Sequence, residues 1–340
     1  MSESPIFITG VYRSGTTLPT LILNAHSKLR ITFDSVQFFR FHLGKYNPIK
    51  ERYAEIILEI ADRLKKRFSM EIPKERILEK LSKINKISYK SVYSTIMIET
   101  FCEGNTDLRW GEKSVLEWTN IPTFLSMFPN GKTIHIIRDP RDVVASYREM
   151  TVEPKYRYLD AAFACLHSLN WSVDIGESLP SDKYYLLRHE DIVSAPEETT
   201  KKLCNFLKID FEPEMLDLKN FSNRSGTHKW EGNTAFDDIE ENISIKSMNR
   251  WKNKLRKHEI LFVESIIEPF LMEKFGYELS GIKFTIRDMH KLWKYLKLTP
   301  LIQSRLNQWL ITGDGVESYP SDPTIPTNWY ESRINDEKKK

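Results

Sequence analysis

Two short stretches hold residues whose types and spacing suit phosphate chemistry. In "GVYRSGTT" (residues 10–17), four residues separate Gly10 from Gly15, behind the apolar run Ile6-Phe7-Ile8 and ahead of a helical stretch at 16–25. Backbone N–H groups of Ser14, Gly15, Thr16 and Thr17 at a helix N-terminus make an anion site, to which the two threonine hydroxyls add donors. Thr16 stands where a Mg-ATP enzyme carries its phosphate-gripping lysine, and the nearest cation, Arg13, lies inside the loop. In "IHIIRDPRDVVASYREM", Arg138 ends an apolar strand and Ser146 follows eight residues later, two turns into a helix. An arginine at a sheet's carboxyl edge and a serine on the next helix can grip one phosphate together; an ion pair of Arg138 with Asp139 or Asp142 is the alternative. A kinase would want an acidic metal partner at such a strand end. Two cationic positions without one point to a ligand with two separate phosphate groups.

The elements that must position these residues read as an α/β chain. Strands are expected at 5–9, 30–33, 132–137 and 183–187, and helices at 16–25, from about 140, at 157–178 and at 196–209. Strands alternating with helices imply a central parallel sheet with helices on both faces. A helical insertion over about 35–102 interrupts the rhythm, with Ile56, Ile57, Ile60, Leu64 and Phe68 at helical spacing and a further helix after Pro73. One helix is expected over 258–276, stopped by Gly276, and one amphipathic helix over about 285–310 before a tail rich in proline. The expected organisation is a main domain over 1–282 and a C-terminal helix and tail over 283–340.

Composition excludes several classes. The net charge of +3 in 340 residues gives no general attraction for nucleic acid. Pro5 and the glycine-rich loop follow Met1 too closely for a leader, and no apolar run approaches a membrane span, so no integral membrane contact is expected. Cys102, Cys165 and Cys204 form no CxxC pair and read as reduced core residues of a cytoplasmic protein. The sequence shows no metal-ligand cluster.

Taken together, "FITGVYRSGTTLPTLILNAH" and "FPNGKTIHIIRDPRDVVASY" resemble the sulfotransferase family. "LLRHEDIVSAPEETTKKLCNFLKI" and "NRWKNKL…EPFLMEKFGYEL" are similar to its later segments, so the resemblance runs over about residues 5–280. It implies 3′-phosphoadenosine 5′-phosphosulfate (PAPS) as sulfuryl donor without a metal, the first motif cradling the 5′-phosphosulfate and the second the 3′-phosphate. Arg13 falls at the loop's catalytic cation; small-molecule members carry Lys there, while tyrosylprotein and several bacterial types carry Arg. Lys113, in "WGEKSVLEW", matches a family lysine near the leaving group, although Val115 stands where many members place a histidine base. Asp34 takes the place of the glutamate base of the tyrosylprotein type, with a turn or cap aspartate as the alternative. His189 falls near the adenine and Arg250 at a position that assists the donor phosphates.

Without the signal anchor of a Golgi-type enzyme, the expected acceptor is a hydroxyl or amine of a small-molecule metabolite or carbohydrate; a homodimer is left open. Rival readings are a P-loop Mg-ATP-dependent small-molecule kinase and a module that binds the product nucleotide PAP without turnover. The acceptor pocket is expected from the insertion and from residues around 150–158 and 225–245, lined by aromatics such as Phe38, Phe39, Phe41, Tyr89, Tyr93 and Trp230. A basic surplus in the insertion favours an acidic acceptor, and "FDDIEEN" (236–242) a cationic one.

Overall fold

The computed structural model describes residues 4–150, 157–222, 243–297 and 299–312. Most of the 150–158 segment, residues 225–242 with Trp230 and "FDDIEEN", and the proline-rich tail lie outside the described residues.

Five strands form one parallel sheet: β1 (Ile6–Gly10), β2 (Leu29–Phe33), β3 (Arg109–Lys113), β4 (Lys132–Ile137) and β5 (Tyr184–Arg188), in the order β2-β3-β1-β4-β5. Alternation along β1 explains the layers. Ile6 and Ile8 face a cluster completed by the helices Thr17–Asn24 and Pro196–Leu207, while Phe7 faces the larger cluster on the other side. There Phe7 stacks on Phe124 at 5.2 Å and tilts against Phe39 at 5.4 Å, which ties β1 to the insertion. Helices therefore cover both faces, as the strand–helix rhythm requires.

Four strands lie where sequence patterning places them, within a residue or so. The fifth, β3, has no apolar signature because "RWGEK" carries Arg109, Glu112 and Lys113. Gly111 makes its central place workable: a Cβ there would come within 2.7 Å of the Ile6 carbonyl oxygen and 2.6 Å of Ile31. The insertion follows β2 as the helices Ile49–Phe68, Lys74–Ser82 and Tyr89–Phe101.

Two expected helices are each broken in two. The stretch 258–276 forms Lys257–Ile266 and Pro269–Lys274, and 285–310 forms Ile286–Lys297 and Pro300–Thr312. In both, a proline opens the second piece, where its missing N–H removes the bond that would continue the first.

The sheet order puts a switch point between β1 and β4: the chain leaves β1 toward β2 and leaves β4 toward β5. The loops after both strands open at the carboxyl edge there, where open α/β sheets bind ligands.

Candidate active site

The glycine-rich loop is built by close approach. A Cβ on Gly10 would lie 2.4 Å from the Ile136 carbonyl oxygen, so a larger residue would part β1 from β4. Arg13 (φ 71°) and Gly15 (φ 88°) take left-handed backbone, and Ser14 N donates to Val11 O at 2.9 Å to close the turn. For Arg13 this is a conformation that side chains seldom adopt. Thr16 precedes the helix Thr17–Asn24, whose first N–H groups face the loop. Thr16 is buried and Thr17 exposed.

The two sequence motifs meet here. Arg138 Nη1 donates to the Arg13 carbonyl at 3.1 Å, and Arg13 Nε donates to Ser146 Oγ at 3.1 Å. Arg138 also donates to the Ser247 carbonyl. The alternative ion pair does not form with Asp139, whose carboxylate is held by Arg141 instead, at 3.0 and 2.7 Å. Burial pushes the Arg138 guanidinium below the usual arginine range, and Asp142 and Glu190 push back.

His189 closes the far side. A Cβ on Gly15 would sit 2.2 Å from its Nδ1, and its Nε2 lies 2.9 Å from Ser247 Oγ. Burial first, then the Arg138 charge, holds His189 well below the usual histidine range, so it is neutral at physiological pH. Arg250 is ion-paired with Glu149 and near enough to Arg138 to be felt electrostatically. Ser14 Oγ, Arg138 Nε and His189 Nδ1 are buried without a hydrogen-bond partner among the described residues. Buried polar atoms are almost always bonded, and three around one loop fit a phosphate-bearing ligand.

Asp34 and Lys113 sit one strand over. Phe33 pairs with Lys113 in register, which brings the ends of β2 and β3 together. Asp34 takes left-handed backbone (φ 50°), its N donates to the Lys113 carbonyl at 2.7 Å, and its carboxylate is ion-paired with Lys113 Nζ. Val115 N donates to Asp34 Oδ1 at 3.2 Å. The partner of Lys113 is Asp34, and both are buried. Val115 contributes its backbone N–H where a histidine side chain was looked for.

Several supporting residues escaped sequence reasoning. Glu112 Oε1 accepts Val36 N at 2.9 Å and Gln37 N at 2.6 Å, while Tyr93 donates its hydroxyl to Oε2. From the other side, Arg63 donates to the carbonyls of Ser35 and Val36. The turn that carries Asp34 is thus held through both its N–H and its C=O groups by buried charges. Burial pushes Glu112 above the ordinary carboxylate range, against the bonds from Tyr93 and Gln37. Arg40 bridges Glu117 (2.7 Å) to the Leu116 carbonyl (3.1 Å), which fixes the segment after Lys113. The one clue in sequence was a run of charges in a stretch as short as a strand.

Of the expected aromatics, Phe38, Phe39, Phe41 and Tyr93 are buried, with Phe38 stacked on Tyr93 at 4.3 Å; they pack the insertion against the sheet. His135, in β4, is fully buried between Tyr184 (2.9 Å) and Ser168 (2.8 Å). His26 bonds to the Asp210 carbonyl at 3.0 Å at the end of the first helix. A cavity of about 410 Å³ beyond β5, lined by Asp139, Arg188, Glu190 and Trp251 among others, excludes Arg13 and Asp34, and several of its charges serve one another. No group of His, Cys, Asp or Glu among the described residues is placed to hold a metal ion.

The sulfotransferase family profile matches residues 5–213. A Drosophila melanogaster protein named protein-tyrosine sulfotransferase is 23% identical over 256 residues, 74% of this chain and 47% of that one. The chain thus spans about half the length of that relative. Two solved structures share the fold. The sulfotransferase domain of the curacin biosynthetic pathway is 20% identical over 81% of this chain and 98% of its own, with a TM-score of 0.53. The corresponding domain of the Synechococcus PCC 7002 olefin synthase is 20% identical over 81% and 95%, with a TM-score of 0.54.

Proposed function

The chain belongs to the sulfotransferase family, and we propose that it transfers the sulfuryl group of PAPS to a hydroxyl or amine of a small-molecule or carbohydrate acceptor, releasing PAP. One observation carries the donor assignment: Arg138 of the second motif holds the backbone of Arg13 in the first, and Arg13 bonds to Ser146. Two phosphate-binding elements locked this closely suit a donor with phosphate at both ends of its nucleoside. Ser14, Gly15, Thr16 and Thr17 would hold the 5′ end, Arg138, Ser146 and Arg250 the 3′-phosphate, and His189 the base.

In sulfuryl transfer the acceptor oxygen or nitrogen bonds to sulfur as the bond from sulfur to the bridging oxygen breaks, so charge grows on that oxygen while the acceptor sheds a proton. Arg13 meets the charge with forked hydrogen bonds; a guanidinium keeps its proton at neutral pH and so does not serve as the acid. Asp34 takes the proton. Its carboxylate faces the Lys113 ammonium, and the turn held by Glu112 and Arg63 fixes its direction. Lys113 also supplies positive charge near the leaving group.

The kinase reading loses its support in the site. No lysine occupies the loop, an arginine follows β4, and Asp139 is engaged by Arg141. Three buried, unpaired cysteines favour a reducing compartment such as the cytoplasm. The test is PAP release from PAPS across phenolic, amine, sugar and tyrosyl-peptide acceptors. Acceptor-dependent release with sulfated small molecule or sugar establishes the reading. Sulfation of the peptide alone would replace the acceptor class, and no release with any acceptor would leave a binding module.

A further inference from the structure

The helix Ile286–Lys297 has two apolar faces. Leu292 and Leu296 turn inward onto the main core. Ile286, Met289 and Trp293, three and four residues apart, form a second stripe that stays outside, with Ile286 89% and Trp293 63% exposed. Five of the ten large apolar side chains exposed among the described residues lie on this helix and the next, so the surface is concentrated rather than scattered. Five exposed cations lie on or just before the same helix: Lys283, Arg287, Lys291, Lys294 and Lys297. Lys297 lies over the Trp293 ring at 5.0 Å. Asp288 is occupied at the helix start, accepting from Thr285 N at 3.0 Å and Thr285 Oγ1 at 2.7 Å.

We propose that this face seats the protein on an anionic membrane surface. Ile286, Met289 and Trp293 enter the boundary between headgroups and acyl chains, and the lysines and Arg287 meet the lipid phosphates and carboxylates. An exposed apolar stripe beside a cationic one, with a tryptophan whose ring suits the headgroup level, is the pattern of a helix lying in the interface plane. No described helix is long and apolar enough to cross a membrane, so the contact is peripheral. Charge argues against a second copy: a two-fold contact through this stripe would bring the same cations face to face. None of these residues touches the Arg13–Asp34 site, so the inference stands apart from the proposed reaction.

The test is co-sedimentation of the full chain with vesicles of phosphatidylcholine alone and of phosphatidylcholine mixed with phosphatidylserine. Binding is expected to the mixed vesicles only, to weaken with salt, and to fall about tenfold or more in Ile286→Ser/Trp293→Ser and in Lys291→Glu/Lys294→Glu. All four positions are exposed, and unchanged thermal melting would confirm that the variants fold. Absence of binding to the mixed vesicles, or binding that neither variant weakens, overturns the proposal. Two other results overturn it in favour of a different occupant. One is concentration-dependent self-association that Ile286→Ser/Trp293→Ser abolishes. The other is Trp293-dependent binding to polyglutamate without binding to vesicles.

Discussion

Exchanging Asp34 for asparagine separates the chemistry of the site from its folding. The side chain keeps its shape and can still accept from Val115 N, but it loses both the proton-accepting oxygen and the charge that faces Lys113. The two residues are 7% and 2% exposed, so little water screens them. Removing one member of a buried ion pair costs about 3–5 kcal/mol, a large share of the roughly 5–15 kcal/mol that holds a domain folded. Asp34→Asn should therefore shift the urea midpoint markedly downward. Asp34→Asn/Lys113→Met removes both charges and should recover most of that loss, because a buried pair is worth little more than a well-packed neutral one. Turnover should behave differently, falling about 10²–10⁴-fold in both variants through loss of the base. PAP affinity should change little in Asp34→Asn, since Asp34 lies on the β2–β3 side and the residues proposed to bind the phosphates on the β1–β4 side. Urea unfolding, PAP calorimetry and PAP release from PAPS read the three quantities separately. Near-normal turnover in the double variant would refute Asp34 as the base, and an undiminished urea midpoint in the single variant would refute the energetic reasoning.

Arg13→Ala should cut turnover about 10²–10³-fold while PAP binding stays measurable by calorimetry, because the backbone of the loop still binds the ligand; turnover close to normal would dismiss Arg13 as the catalytic cation. Glu112→Ala strands Val36 N, Gln37 N and the Tyr93 hydroxyl, at about 3 kcal/mol or more in urea unfolding, and should lower kcat beyond what the change in KM accounts for. Acid stability turns on His135, whose pKa burial drops to about 3. The unfolded chain takes up a proton below about pH 6.5 that the folded one refuses, so stability falls with pH from there toward 3. From pH 6.5 to 5 this histidine alone should cost about 1.6 kcal/mol, and His135→Gln should flatten the slope of unfolding free energy against pH by nearly one proton.

The sheet was legible where strands are apolar and the helices where periodicity is strong. β3 was illegible because Arg109, Glu112 and Lys113 erase the apolar pattern that marks a buried strand. Gly10, Arg13, Gly15, Arg138 and Ser146 were legible because a phosphate loop is a local device whose spacing survives in one dimension. The link between Arg13 and Ser146 was not, since 133 residues separate them and the sheet order that joins them is a tertiary fact. The pairing of Asp34 with Lys113 and the hold of Glu112 and Arg63 on the turn likewise depend on β2–β3 register and on where the insertion returns. The two broken helices have a simpler cause: Pro269 and Pro300 sit within apolar periodicity that runs on past them.

The central claim is that the two motifs form one site for a nucleotide with phosphate at both its 3′ and 5′ ends. Calorimetric titration of PAP beside Mg-ATP, on the intact chain and on Arg138→Ala, tests it most directly. PAP should bind tightly without a metal, Mg-ATP weakly or not at all, and Arg138→Ala should lose PAP binding. Binding of Mg-ATP in preference to PAP, or PAP binding indifferent to Arg138, would contradict it.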